Sequence, residues 1–313
     1  MSEQSVATAI LESIAIRGWA ARLVPAARRF DLWRELSDRR ARGELDEVFF
    51  EERLRSFGES IENAPEWIRS MLIVAIPDPM LRIRFNWRGR EISLSVPPTF
   101  VRWDTLGEPR IQCLIKDHIA SAVRSEIASV PKKLLATRSG LARYGRNNIT
   151  YVEGMGSYHR LCSLYTDVPC GDTPWQEPMV LGLCGDCGAC VRACPANAID
   201  PDRFLVHAER CITYWQEKPS GVRHPADADY SWGDQFIGCM RCQAVCPQNR
   251  GMLATDEIGS PFTEEETGAL LQGTTVEDLP KETVDKLKRH GIVEYLDVLP
   301  RNLGDMMKRM AAS

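Results

Sequence analysis

Cysteine is the residue whose number and spacing point most directly to chemistry in this chain: there are eleven in 313 residues. Eight of them fall between positions 184 and 246. Cys184, Cys187, Cys190 and Cys194 are separated by two, two and three residues, and Pro195 follows the last. This is the spacing of the bacterial ferredoxin run. Three closely set thiolates take three corners of a cubane 4Fe–4S cluster, and the fourth, carried onward by the proline, reaches a second cluster. A lone run is incomplete, and the sequence supplies its partner. Cys239, Cys242 and Cys246, followed by Pro247, repeat the second half of the motif, with Phe236 where the first cysteine would stand. Cys211 is the replacement. By the crossing rule, Cys184, Cys187, Cys190 and Cys246 hold one cluster, and Cys211, Cys239, Cys242 and Cys194 hold the other. Paired CxxC segments also bind zinc, but zinc has no use for the third cysteine of the first run or for the two cysteine–proline pairs. Disulfides rank below metal ligation in a chain whose first thirty residues carry charges and no export core.

Two clusters form a short wire for single electrons, and a wire needs ends. A plain ferredoxin is far smaller, so the rest of the chain must hold an active site or a docking role. At 44% hydrophobic and 26% charged, the composition is that of a soluble globular protein. The longest apolar run, 71–77, is too short to span a bilayer, so a cytoplasmic protein with no membrane partner is expected. A net charge of −4 argues against a general nucleic-acid binder. Periodicity predicts a helix over 5–17 stopped by Gly18, charge-rich helices over 29–60, a buried strand at 71–77 and a hairpin over 82–96. It also predicts a helix over 109–130, with Cys113 on its apolar stripe. Residues 134–170 are rich in Gly, Asn, Tyr and Arg, as suits a site. In the tail, Thr263 and Glu266 read as a capping box, and a helix with basic residues in its last turn ends at Gly291.

The cluster region resembles one family. ERCITYWQE (209–217) followed by IGCMRCQAVCPQNR (237–250) is similar to epoxyqueuosine reductase, the cobalamin-dependent enzyme that removes the epoxide oxygen in the last step of queuosine synthesis in tRNA. SGLARYGRNN (139–148) resembles the family's Ala-Gly-Leu-Gly-Trp-x-Gly-Lys-Asn, and GSYHRLCSLYTDVPC (156–170) its Gly-Ser-x-x-x-Leu-x-x-x-x-Thr-Asp-x-Pro. The resemblance is specific from about 131 to 250. It implies an α+β fold in three parts: a nitroreductase-like cobalamin- and substrate-binding domain over 1–170, a two-cluster ferredoxin-like module over 171–255, and a helical tail over 256–313. Reductive dehalogenases are relatives. The implied cofactors are two 4Fe–4S clusters and cobalamin, with electrons from a soluble donor of the ferredoxin or flavodoxin type.

Three departures from the family pattern bear on the substrate. Counting back from Gly140 places Glu126 where the family has its catalytic aspartate, whereas aligning the family's proline on Pro131 places Ala128 there. The family's helical repeats, which help grip tRNA, are shortened to room for about three helices. The Gly-Trp pair becomes Ala142-Arg143-Tyr144. These departures imply a paralogue that keeps the wire and the cobalamin but acts on a changed, small-molecule substrate or a corrinoid partner. Two alternatives stay open: epoxyqueuosine reductase proper, acting on tRNA, and a non-catalytic ferredoxin-type donor to a redox partner.

The site residues follow from the same motifs, each with a plainer reading beside it. Glu126, Tyr144 and His159 are the candidate proton donors; His159 is also a candidate cobalt ligand, and equally each can simply pack or hydrogen-bond locally. Arg138, with Arg143, Arg146, Lys132 and Lys133, forms a basic stretch for a cofactor phosphate or an anionic substrate, or a solvated face. Gly140, Gly145 and Gly156 allow close backbone approach to a corrin ring or make turns. Asn147 and Asn148 bond corrin amides or turn the chain, and Leu141 and Ser157 belong to the matching motifs. Cys162 and Cys170 read as small buried hydrophobes. Trp175, Trp215 and Trp232 flank the cluster region as shields.

Overall fold

A computed structural model describes residues 3–101, 107–119, 122–171, 173–222, 234–252 and 255–312. The chain divides into two compact units, each built from several segments. One comprises Met1–Pro77, Asp104–Gly188 and Ile199–His207; the other comprises Asp78–Trp103, Ala189–Ala198 and Ala208–Ser313. Among the described residues no helix is long and apolar enough to cross a membrane.

The first unit is organised by the strand Ser70–Pro77, whose residues are buried along nearly its whole length. It lies inside a four-stranded antiparallel sheet in the order Ala20–Pro25, Ser70–Pro77, His159–Thr166, Ser125–Ile127. An uninterrupted apolar run is what a strand covered on both faces requires, because alternate side chains point to opposite sides. Met71, Ile73 and Ala75 enter a core with Leu32, Ile61, Leu134 and Leu135. Leu72, Val74 and Ile76 enter another with Ile10, Ile14, Ile111 and Ile115. Helices Glu3–Ile16 and Glu108–His118 thus cover one face. Helices Arg29–Ala41, Ser56–Glu62 and Lys132–Arg138 cover the other. Full burial of one such side chain contributes about 1.5–3 kcal/mol. Gly18, at φ +72°, ends the first helix as expected.

The helix expected over 109–130 is shorter. It runs from Glu108 to His118, and Ser125–Ile127 instead pairs with Leu164–Thr166 at the sheet edge. An open edge offers backbone hydrogen bonds to any segment that reaches it, and this outweighs helical periodicity. Cys113 is exposed, not core: the stripe that goes inward is Ile111, Leu114 and Ile115, and position 113 lies across the helix from it.

The second unit begins with the expected hairpin. Strands Met80–Trp87 and Arg90–Val96 pair through Leu81–Val96, Ile83–Leu94 and Phe85–Ile92. The turn between them holds Arg88 and Gly89 at φ +52° and +71°, the two positive values a tight hairpin turn needs. Thr255–Glu257 adds a short parallel strand. The inner face packs on Phe236, Phe262, Leu270, Leu287, Leu303 and Met306, and Phe85 stacks on Phe262 with ring centroids 5.1 Å apart. The tail helices Glu264–Gln272, Lys281–Arg289 and Leu299–Ala312 therefore share one core with the hairpin. The capping box is present: Glu266 N–H donates to Thr263 Oγ1 at 3.2 Å, and Thr263 N–H donates to Glu266 Oε2 at 2.7 Å. In the same unit the short helices Ala189–Ala193 and Arg241–Ala244 pack together.

Candidate functional site: a cysteine cluster and the loop before it

Three of the four ligands assigned to the second cluster meet in the second unit. Cys194 lies close enough to Cys211 to raise its pKa, and both lie close enough to Cys239 to raise that of Cys239. Burial pushes the Cys239 thiol up to about 12, and Cys211 and Cys194 add to the shift. Burial also raises Cys211. Buried, mutually repelling thiolates need a cation among them, which iron supplies. The backbone is arranged for sulfur as well. Ala198 N–H points at Cys194 Sγ, 3.2 Å away. Thr213 and Tyr214 donate backbone N–H groups to Cys211, and Arg241 donates one to Cys239. Hydrogen bonds to cluster sulfurs are a main determinant of potential. Cys211 caps the helix Ile212–Gln216, and Trp215 donates its Nε1–H to Glu209 O at 2.7 Å. The residues present thus fit the cluster. Among the described residues no three Cys, His, Asp or Glu side chains are placed to hold a single metal ion.

In the first unit, Cys184 and Cys187 open and close a one-turn helix that ends at Gly188, φ +56°. The loop 139–148 is laced to the approach to this helix. Tyr144 N–H donates to Met179 O, and Leu181 N–H donates back to Tyr144 O, both at 2.8 Å. Arg146 reaches further. Its Nε and Nη2 bond Cys184 O at 3.3 and 2.9 Å, Nη2 also lies 3.5 Å from Gly185 O, and Nη1 bonds Pro201 O.

The remaining expected site residues divide between those that shape this loop and those spent elsewhere. A Cβ on Gly145 would come within 2.5 Å of both Asn147 Oδ1 and Tyr151 Cε2, so only glycine fits. Asn147 is buried and donates to Tyr151 OH at 3.0 Å. Asn148 sits at φ +56°, and its side-chain Nδ2 is buried with no hydrogen-bond partner. An unsatisfied buried amide donor of this kind fits a ligand carbonyl or phosphate oxygen. Gly140, φ +72°, is exposed beside Gln176. Tyr144 is buried, not solvated; its hydroxyl hydrogen-bonds Thr137, burial lifts it above the ordinary phenol range, and its ring meets Phe204 edge-on at 5.2 Å.

Several expectations are corrected. Arg138 is not available to a phosphate: it holds Glu35 through Nε and Nη2 at 2.8 and 2.6 Å and Glu177 through Nη1 at 3.1 Å. His159 is fully engaged, with Nδ1 3.1 Å from Gly156 O and Nε2 3.0 Å from the Thr150 hydroxyl, and burial lowers its pKa to about 4. It is a neutral, locally bonded histidine rather than an acid or a cobalt ligand. Gly156, φ +55°, uses its carbonyl on that contact and on Val152 N–H. Leu141 is core, and Ser157 is buried. Glu126 stands exposed on the edge strand opposite Tyr165. Cys162 is buried, as expected, and burial raises the half-buried Cys170 thiol. Trp175 is flanked by Arg28 and Arg138 at 5.5 and 5.9 Å, within the first core rather than against a cluster. Trp232 lies outside the described residues. Arg146 is the contact that sequence reasoning missed: its charge was legible, but nothing in the spacing told that it would turn onto carbonyls.

A family described as "4Fe-4S double cluster binding domain" matches residues 183–249, a span containing all eight assigned cysteines. Epoxyqueuosine reductase from Aliivibrio fischeri is 36% identical over 131 residues, 42% of this chain and 33% of that protein. The enzyme of the same name from Cyclobacterium marinum is 31% identical over 193 residues, 60% of this chain and 58% of that protein. The matched segments thus span between a third and under two-thirds of these curated relatives. Among solved structures, an epoxyqueuosine reductase with a tRNA-Tyr epoxyqueuosine-modified tRNA stem loop aligns over 96% of this chain and 80% of its own, with a TM-score of 0.64 at 17% identity. The Streptococcus thermophilus enzyme aligns over 98% and 80%, with a TM-score of 0.57 at 17% identity. The α+β fold is therefore that of these structures, and the chain carries a double-cluster module.

Proposed function

We propose that this chain, epoxyqueuosine-reductase-like in its motifs and in its fold, is an oxidoreductase that passes electrons from a soluble one-electron donor through two 4Fe–4S clusters to cobalamin, and that its substrate is a modified base carried by tRNA. The observation that carries the proposal is the complete set of eight cysteines in a double-cluster module, within a fold shared along almost the whole chain with epoxyqueuosine reductases. Bound cobalamin would supply low-valent cobalt, able to reduce a carbon–oxygen bond. In this chain, Asn148 and the backbone around Gly145 would hold that group. Asn148 offers the unpartnered amide, and Gly145 lets the chain fold tightly there. Tyr144, buried and bonded to Thr137, keeps its proton at neutral pH and keeps water from the loop. Glu126, on the sheet edge, remains the acid proposed to deliver a proton to the leaving oxygen.

A changed substrate was the leading expectation from sequence, and the tRNA reading now takes its place. The departures at Ala142-Arg143-Tyr144 and Glu126 alter the lining of the site, whereas the likeness to the stem-loop complex extends over 96% of the chain. The test is anaerobic reconstitution with iron and sulfide, addition of hydroxocobalamin and desalting, followed by titration with an epoxyqueuosine-bearing tRNA stem loop at two salt concentrations. Retained corrin, salt-dependent binding and loss of one oxygen from the base by mass spectrometry support the proposal. Corrin retention without stem-loop binding returns the changed substrate. Iron without corrin leaves a ferredoxin-type donor.

A further inference from the structure

We infer that Arg146 is a positioning residue for Cys184 and the cluster that Cys184 ligates, and that its charge holds that cluster's reduction potential up. The inference rests on the two-cluster reading. Gly145 permits a tight approach to Asn147 and Tyr151, and Asn148 follows at positive φ. This turn directs the intervening Arg146 towards the cysteine loop and not into solvent. Its guanidinium then spans two chain segments, with Cys184 O and Gly185 O on one side and Pro201 O on the other. Three carbonyls around a planar fork is a task for arginine; a lysine ammonium is a point charge on a flexible stem.

The charge matters because no ion pair among the described residues takes it up. Arg138, eight positions earlier, is neutralised by Glu35 and Glu177. Arg146 has no carboxylate within ion-pair distance among the described residues; its partners are carbonyls only. A fixed positive charge held on the carbonyl of a ligand cysteine favours the more negative, reduced form of the cluster. The same side chain pins the backbone of Cys184 to the loop 139–148, so the loop proposed to hold the cofactor and the near end of the wire move as one piece.

The experiment is an electron paramagnetic resonance redox titration of the full-length protein, reconstituted anaerobically, comparing wild type, R146Q and R146K, with iron release to a chelator followed in parallel. Iron and sulfide are assayed first on the wild type. A wild-type chain that takes up no iron overturns the two-cluster reading, and this inference with it, before any variant is read. With iron present, R146Q should shift one cluster's midpoint to a more negative potential and leave the other unmoved. R146K, which keeps the charge but not the fork, should hold the midpoint near wild type yet release half of its iron faster. R146Q with full iron and both midpoints at their wild-type values overturns the inference. Where R146Q does not fold, R146K decides alone: faster release of half the iron supports the role, and release at the wild-type rate refutes it.

Discussion

At the scale of single residues, Gly145 and His159 make opposite kinds of demand. Gly145 is needed for what it lacks. In Gly145→Ala the new methyl meets an amide oxygen and a ring carbon at 2.5 Å, and overpacking of this kind is expected to destabilise by about 1–3 kcal/mol. Thermal unfolding should show the loss, and corrin retention should fall with it. His159 is needed uncharged. Its folded pKa, near 4, lies below the ordinary value of about 6.5. The stabilisation it gives is therefore complete above about pH 6.5 and lost as pH falls towards 4, by roughly 3 kcal/mol in all. His159→Gln should be less stable than wild type at pH 7, and the gap should narrow between pH 7 and 5 in parallel melting curves. A gap that stays constant would mean the ring is not held neutral. His290, which burial also lowers, titrates in both proteins and drops out of the difference.

Among elements, the clearest joint is the ion pair of Arg138. It ties the helix Lys132–Arg138 to the helix Arg29–Ala41 through Glu35, and both side chains are largely buried. Arg138→Ala leaves Glu35 with Arg39 as its remaining partner. The expected loss is about 2–3 kcal/mol, below the full figure for a stranded buried charge. It should appear as a lower urea midpoint with an unchanged slope. This pair also marks the limit of reading from sequence. The segment 71–77 was legible because an unbroken apolar run suits a strand covered on both faces, and 82–96 because alternation fixes which face each side chain takes. The capping box at Thr263 was legible because its two hydrogen bonds are local. Arg138 and Arg146 looked alike as members of a basic stretch, and only the fold assigns one to carboxylates and the other to carbonyls. Ser125–Ile127 was misread as helix because its pairing partner, Leu164–Thr166, is far along the chain.

For the whole molecule, the cysteines were fully legible as a ligand set, since cluster spacing is a short-range code. The division of the chain was not. The hairpin 80–96 and the tail helices share one core although most of the sequence lies between them, and no local signal announces such a partnership. A chain ending at residue 257 should therefore lose more than its tail. The faces of Leu81, Ile83 and Phe85 would open to water, and Cys194, Cys211 and Cys239, which lie in the same unit, would lose their support. An iron and sulfide assay of the truncated protein should show well under the full complement. A full complement would show that the cluster ligands stand without that core.

The shared core also sets a timetable for synthesis. The hairpin leaves the ribosome with its apolar face complete, but the last of the residues that cover it, Leu299 to Met307, are made roughly 200 residues later, on the order of ten to forty seconds at about 5–20 residues per second. Until Phe236, Phe262 and the tail helices have emerged, Phe85 and its neighbours lack the partners that cover them, and the hairpin's edge is open to pairing with other nascent chains. All eight cysteines also emerge before the core is closed. Iron loading of this protein is thus a late event, and production at a lower temperature, with chaperones and iron supplied together, should raise the fraction of chains that carry both clusters.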